Sequence, residues 1–571
     1  MIYLKNHITS VVLDFILENQ DSFLNYLEIN IIIKEISGVN NFFDTQEEVT
    51  RLLTEIRTDS CIISSLDRRE YGDFQTNSTL ASQVVEYISK KNEKIEFVLE
   101  PTCGKGNFLL ACILQFKQLK KIVGVEIYKP YIWYTKFRLL DYYLKNPNCL
   151  KPEIDIIHGN AFEFDYNTLA NSTRYLTTLV IGNPPWITNS ELGLLESENL
   201  PRKSNFKKYT GVDAMTGKGN FDISEYISYI LLKCFEGHDG VFAFLIKNSV
   251  AKNLIHDQKI NHFRIGYLEK LLIDSKKEFN VSVNACLFFA YLNAEPNQTC
   301  MALDFYTRKL NAKFGWYQDK FVNSIDDYKK SSVVDGKSIF VWRSGVKHDC
   351  AKVMELKQEN GYFLNGLGEE VELETDLVYG LLKSSDLKVI RTSIFRKLTI
   401  ITQSKVGQDT GYIQEKYPLT YAYLYDHKAF FEKRKSSIYK SKPYFSIFGI
   451  GNYSFANYKV AISGLYKSTH FTLISPNNNK PIMLDDTCYF IGFENMKMAQ
   501  VAHFLVNSDL VQRFLKSIIF FDSKRSINKD ILMRIDFHKV FENADFEVAK
   551  QKIDDLKRKH WNAFEKMIKE N

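Results

Sequence analysis

The chain has no run of apolar residues approaching the roughly 18 needed for a helical membrane span, so a soluble protein with no membrane partner is expected. Residues Met1 to His7 lead into mixed polar and apolar sequence, without the apolar h-region or small-residue cleavage site of a secretory signal. The nine cysteines are scattered and include no CxxC pair, which argues against a disulfide framework, a zinc site or any other metal centre. A reducing cytoplasm fits such cysteines best. No large excess of one charge is present: 74 basic residues face 68 acidic ones, and a net charge of +6 permits a polyanionic partner without requiring one. No internal repeat stands out at the periods of solenoids or propellers.

What is plentiful is aromatic surface, 14% of residues with 32 Tyr and 42 Phe, which serves large cores and stacking surfaces equally. At 571 residues the chain exceeds what one core usually serves, so two domains with extensions are expected. Between about 79 and 290, β-rich runs alternate with helical spacing. The runs are Ile95–Leu99, Ile122–Val125, Ile154–Ile157, Leu179–Ile181, Val241–Ile246 and Ala285–Phe289, and helical spacing marks Phe108–Phe116 and Tyr131–Leu144. This predicts an α/β fold, a Rossmann-like mixed and mostly parallel sheet with ligands beyond the carboxyl ends of its strands. Residues 1–70 read as a helical N-terminal extension, 71–299 as the catalytic domain, 300–540 as a mixed α+β second domain, and 541–571 as a helical tail. One long connection, Ile187 to Asp222, carries basic pairs at Arg202-Lys203 and Lys207-Lys208.

Three strand ends carry ligand chemistry. Glu100-Pro101-Thr102-Cys103-Gly104-Lys105-Gly106 follows the first strand and opens a helix, where Gly104 and Gly106 allow a tight turn and close approach to backbone N–H groups. The turn lacks both the third glycine of a dinucleotide fingerprint and the Gly-Lys-Ser/Thr of a phosphate loop, so phosphates are poorly served. Glu126 closes the second strand, where a carboxylate accepts ribose hydroxyls, and Asn160-Ala161 follows the third, where an amide suits an adenine amine. Each alone is equally at home as a structural turn or a solvated acid. Their order on successive strand ends joins them. After the fourth strand stands Asn183-Pro184-Pro185-Trp186, a combination suited to methylating a planar, poorly nucleophilic amine.

With these residues in that order, the chain resembles the S-adenosylmethionine-dependent DNA amino-methyltransferases, specifically N6-adenine enzymes of the gamma class. Tyr71-Gly72-Asp73-Phe74-Gln75-Thr76 resembles motif X, with Asn77 in place of the usual proline. Residues 100–108 resemble motif I, Glu126 the acid of motif II, Asn160 the commoner Asp of motif III, and Asn183–Trp186 motif IV with Trp for Tyr. Lys276–Ser282 resembles motif VIII, whose aromatic, here Phe279, packs on the target base. The resemblance implies S-adenosylmethionine as cofactor, held by Tyr71, Phe74, Thr76, Glu100, Pro101, Cys103, Gly104, Gly106, Glu126, Asn160, Ala161 and Asn183. The catalytic residues would be Asn183, Pro184, Pro185 and Trp186.

Physical chemistry explains the residue types. The N6 lone pair of adenine is delocalised, so the Asn183 side-chain oxygen and the Pro184 carbonyl each accept one amine hydrogen and align that lone pair for in-line transfer. Pro185 fixes the backbone, and Trp186 and Phe279 are expected on either side of a base flipped out of the duplex. Only 22 residues separate Asn160 from Asn183, which leaves recognition of double-stranded DNA to residues 300–540. Basic and aromatic clusters there supply candidate DNA contacts: Arg343 and Lys347, then Lys433, Arg434, Lys435 and Lys440, then Lys524 and Arg525. A solvated charged face is the alternative for each.

His348-Asp349 and Asp485-Asp486 fit turns or caps better than a nuclease centre, so no fused endonuclease is expected. A separate restriction endonuclease is the expected partner of a monomeric modification enzyme. N4-cytosine, RNA or a protein glutamine amide as target, or a silent DNA-binding subunit, are the competing readings. The large basic second domain weighs against the protein target.

Overall fold

The β-rich runs of the first half become strands of one sheet. The structure is a computed structural model and describes residues 7–57, 75–188, 221–523 and 525–570. Among these, the strands are β1 (Phe97–Glu100), β2 (Lys121–Glu126), β3 (Glu153–His158), β4 (Thr178–Gly182), β5 (Gly240–Lys247), β6 (Gly266–Ile273), β7 (Ala285–Tyr291), β8 (Thr299–Asp304), β9 (Leu310–Tyr317) and β10 (Lys320–Val322). They lie in the order β10-β9-β8-β6-β7-β5-β4-β1-β2-β3. Strands β1 to β5 are mutually parallel, β7 runs against both β5 and β6, and β6 is parallel to β8. The carboxyl ends of β1, β2, β3 and β4 therefore share one rim of a mostly parallel sheet, the α/β fold expected.

Strand β6 escapes the hydrophobic pattern because Glu269 and Lys270 interrupt it. Glu269 is nonetheless buried, its carboxylate accepting from the Tyr87 hydroxyl and from Lys91 Nζ at 3.2 Å. A buried acid is tolerated only with such partners.

The N-terminal helices α1 (Ser10–Glu18), α2 (Tyr26–Ser37) and α3 (Gln46–Arg57) share a core with the sheet. Val12, Ile29, Ile33 and Leu52 pack in one cluster with Val98, Ile122 and Trp133. After α2 the chain joins the β3 edge, Val39 bridging Ile154 in parallel, and Phe42 and Phe43 meet Trp133 at ring-centroid distances of 6.3 and 5.7 Å. Lys136 Nζ, buried beside them, donates to the Asn41 and Phe42 carbonyls at 2.7 and 2.9 Å, and burial lowers its pKa to about 8. The helices α4 (Ser78–Lys91), α5 (Asn107–Gln115) and α6 (Lys129–Lys145) complete the surroundings of β1 and β2.

The chain divides into compact units at 321/322, whereas the sequence suggested 299/300, because β8 and β9 continue the first sheet. The second unit contains a five-stranded sheet around Tyr458–Ser463 and Cys488–Phe493, and a six-stranded one around Glu355–Glu359, Val378–Leu382 and Lys397–Ile400. Its last helices are part of this packing and not a separate tail: Phe541 stacks on Trp561 with centroids 4.5 Å apart, and Phe340 meets Phe537 at 4.7 Å.

Candidate active site

The turn between β1 and α5 is shaped by two glycines in the left-handed region, Gly104 at φ 51° and Gly106 at φ 67°. Side chains are disfavoured there by backbone sterics. Space is also closed: a Cβ on Gly104 would lie 2.7 Å from Gln75 Oε1, and one on Gly106 would lie 2.6 Å from Thr135 Cγ2. Glu126, at the end of β2, accepts from the Gly104 and Tyr128 N–H groups, both at 2.8 Å. Beside it, Glu100 is buried and, among the described residues, its Oε2 has no hydrogen-bond partner; burial first, and then the Glu126 charge, hold its pKa well above the carboxylate range. The rim thus places two sheltered acids beside the glycine turn.

Other expected contacts fall in varied places. Pro101 is buried against Gly182, its Cδ 3.5 Å from where a Cβ would stand, so the ends of β1 and β4 adjoin. The Cys103 side chain turns into the core, its Sγ filling space left by Gly124, which leaves only the backbone of Cys103 to the rim. Asn160 Oδ1 accepts from Phe162 N at 2.9 Å, fixing the turn after β3, and Ala161 beside it is buried. Tyr71 and Phe74 lie outside the described residues, as do both basic pairs of the long connection.

After β4, Asn183 Nδ2 donates to Thr76 Oγ1 at 3.2 Å, which assigns the nitrogen to Thr76 and turns the amide oxygen the other way. Thr76 in turn has its carbonyl bound by Asn107 Nδ2 at 2.7 Å, at the start of α5. Gln75 Oε1 accepts from Lys105 N at 3.3 Å. Consecutive residues therefore tie the glycine turn to the Asn183 amide. The motif X likeness pointed to this stretch, but not to these bonds.

Trp186 is 5% exposed, its Nε1 donating to the Leu245 carbonyl at 3.2 Å. It meets Phe279 edge to face, with centroids 4.9 Å apart and planes at 70°. The two rings expected on either side of a base thus touch each other here and form one aromatic corner.

In the second unit, Lys433, Lys435 and Lys440 are exposed. Arg434 is not available in the same way. It donates to the carbonyls of Phe431, Ser446 and Tyr444 at 3.0, 2.8 and 3.0 Å and lies 3.8 Å over the Tyr439 ring, so its guanidinium serves the fold. Arg343 lies over Tyr453 at 4.9 Å, Lys347 pairs with Asp349 at 3.5 Å, Arg525 pairs with Asp486 at 3.3 Å, and Lys524 is outside the described residues. His348, its pKa lowered by burial, stands 3.7 Å from the buried Glu355 carboxylate, which the half-buried Lys383 and Lys397 also hold.

A mostly parallel sheet with ligand-type residues at the carboxyl ends of its strands is the fold of the Rossmann-like methyltransferases. The chain is 39% identical over 472 residues to the type II methyltransferase M.NspV of Nostoc sp. (strain ATCC 29411 / PCC 7524), covering 82% of this chain and 96% of that protein. It therefore belongs to the type II methyltransferases of restriction-modification systems. The modification methylase CviBIII of Paramecium bursaria Chlorella virus NC1A is 21% identical over 215 residues, 37% of this chain and 46% of that one. The type IIL restriction-modification enzyme MmeI, solved with DNA, superposes with a TM-score of 0.52 at 12% identity, over 88% of this chain and 72% of the other, a likeness of fold. No family model matches the chain.

Proposed function

We propose that this chain is the adenine-specific DNA methyltransferase of a restriction-modification system, transferring a methyl group from S-adenosylmethionine to N6 of an adenine flipped out of the duplex. The observation that carries the reading is the Asn183 amide, held by Thr76 at the end of β4 beside the glycine turn. The acids fit the cofactor: Glu100, buried with Oε2 unpartnered among the described residues, and Glu126 suit a ligand that brings positive charge and a ribose diol. When bound, S-adenosylmethionine supplies an electrophilic methyl on a sulfonium cation.

This chain's residues do the rest. Gly104 and Gly106 shape the turn on which the ligand lies, the Glu126 carboxylate, fixed by the Gly104 and Tyr128 N–H groups, takes the ribose hydroxyls, and Asn160 with Ala161 takes the adenine. Asn183 Oδ1 and the Pro184 carbonyl accept the two amine hydrogens, drawing N6 toward tetrahedral geometry with its lone pair aimed at the methyl group. Pro185 stiffens the segment. The Trp186–Phe279 corner gives the extruded base one aromatic surface, offsetting part of the unstacking cost. Lys433, Lys435 and Lys440 of the second unit contact phosphates while that unit reads the target, and a separate endonuclease cuts the unmodified sequence.

The test is labelled-methyl transfer to mixed-sequence DNA, followed by mass analysis of the nucleosides. N6-methyladenine is expected from the wild type, and Asn183→Ala should lower kcat by about a hundred- to a thousandfold, the scale for losing one preorganised transition-state contact. Label appearing on cytosine, or equal incorporation by the variant, would overturn the reading.

A further inference from the structure

The turn that carries Phe279 is too short to hold itself. It comprises the one-turn helix Ser275–Phe279 between β6 and β7, with Asp274 Oδ1 accepting from Lys276 and Lys277 N at 3.1 Å and Asn280, at φ 57°, closing it. A single turn fixes many torsions for few bonds and needs outside support.

That support converges on Glu278, whose side chain is 9% exposed. Asn77 Nδ2 donates to Glu278 Oε2 at 3.1 Å, and the Tyr306 hydroxyl, from the turn after β8, donates to Oε1 at 2.8 Å. Lys277 Nζ lies 3.7 Å from Oε1 and 4.9 Å from the centre of the Tyr306 ring. Burial and the Glu278 charge push the Tyr306 hydroxyl above its ordinary pKa, so it remains a donor at working pH. Asn77 cannot reverse its amide freely, because Oδ1 caps α4 by accepting from Leu80 N at 2.8 Å. Its neighbour Thr76 holds the Asn183 amide.

We infer that Asn77, Glu278 and Tyr306 are positioning residues that seat the Phe279 turn against the catalytic corner, so that residues 76 and 77 fix the amine-holding amide and the base-facing ring from one point of the chain. The consequence for rate rests on the adenine-transfer reading; the bracket itself does not.

Asn77→Asp tests it in the full-length protein, since Asp caps a helix as well as Asn but sets a carboxylate against Glu278. Methyl-transfer kcat should fall at least tenfold with cofactor Kd within threefold, and amide exchange across 275–280 should quicken at least fivefold. Adding Glu278→Gln supplies a donor to the new carboxylate and should return both readouts to within threefold of wild type. Unchanged exchange in Asn77→Asp, or no recovery in the double variant, would overturn the bracket. Tyr306→Phe, which removes one hydroxyl, should quicken exchange about threefold, and it decides the matter should Asn77→Asp fail to fold: exchange equal to wild type then sinks the inference. A wild type with protected 275–280 but no methyl transfer would refute the adenine reading and leave the bracket standing.

Discussion

The two halves of the rim are held by different means. At the ends of β1 and β2, position is set through backbone donors: beside the left-handed glycines, the Cys103 N–H meets the Val125 carbonyl at 2.9 Å and the Gly104 N–H meets the Glu126 carboxylate. At the ends of β4 and β6, position is set by side chains: Thr76 on Asn183, Asn77 and Tyr306 on Glu278, and the Trp186 ring nitrogen on a carbonyl. Backbone-held sites fail when the backbone is forced, whereas side-chain-held sites fail one hydrogen bond at a time. Substitutions in the first half should therefore disturb stability and cofactor affinity together, while those in the second should disturb turnover alone.

The largest test of this contrast is Gly106→Ala. It forces a left-handed residue to carry a Cβ 2.6 Å from Thr135 Cγ2 in buried α6, so about 2–4 kcal/mol of stability should be lost. Urea unfolding reads the loss, and calorimetry should find cofactor binding weaker by at least tenfold. Thr135→Ser removes the opposing methyl while keeping the hydroxyl that donates to the Gly104 carbonyl at 3.0 Å, and should recover part of both. Recovery of neither would mean that packing is not what fixes this turn.

A smaller effect is expected from Thr76→Val, which deletes the acceptor for Asn183 Nδ2 at nearly constant volume. The loss of about 1 kcal/mol should appear as roughly fivefold in kcat, with KM for the cofactor within twofold. A change in KM with kcat intact would assign Thr76 to the cofactor half instead.

The smallest concerns Glu100. Its folded pKa is raised, so its stability contribution is complete below the ordinary carboxylate range and is lost as pH rises through the folded value. Glu100→Gln should therefore match the wild type near pH 4 and unfold about 2 °C higher at pH 8 in thermal scans without cofactor. An equal or lower midpoint at pH 8 would show that the buried carboxylate carries no penalty.

Much of the first half was legible because β-branched runs and strand-end residues obey local rules. Glu100, Glu126, Asn160 and Asn183 stand at the ends of β1 to β4, where an α/β sheet must put them. Strand β6 was not legible, since a sequence shows Glu269 as a polar interruption and cannot show the tyrosine and lysine that neutralise it from α4. Arg434 and Lys433 illustrate the same limit. Both sit in one basic run, yet the guanidinium is bonded to carbonyls brought in by residues 444 and 446, a long-range fact that spacing does not encode. The Trp186–Phe279 contact joins segments more than 90 positions apart and became visible only when both were placed.

The bridge from Val39 to Ile154 bears on what counts as the foldable piece of this protein. An uncovered outer strand is a template for pairing with other chains, and here the segment that follows α2 supplies the cover while burying Phe42 and Phe43 on α6. A shortened chain beginning near the motif-bearing residues would thus lose a wall of its own core and gain a sticky margin. Grafting or trimming of this methyltransferase has to keep the opening helices and the nucleotide-fold sheet as a single inherited unit.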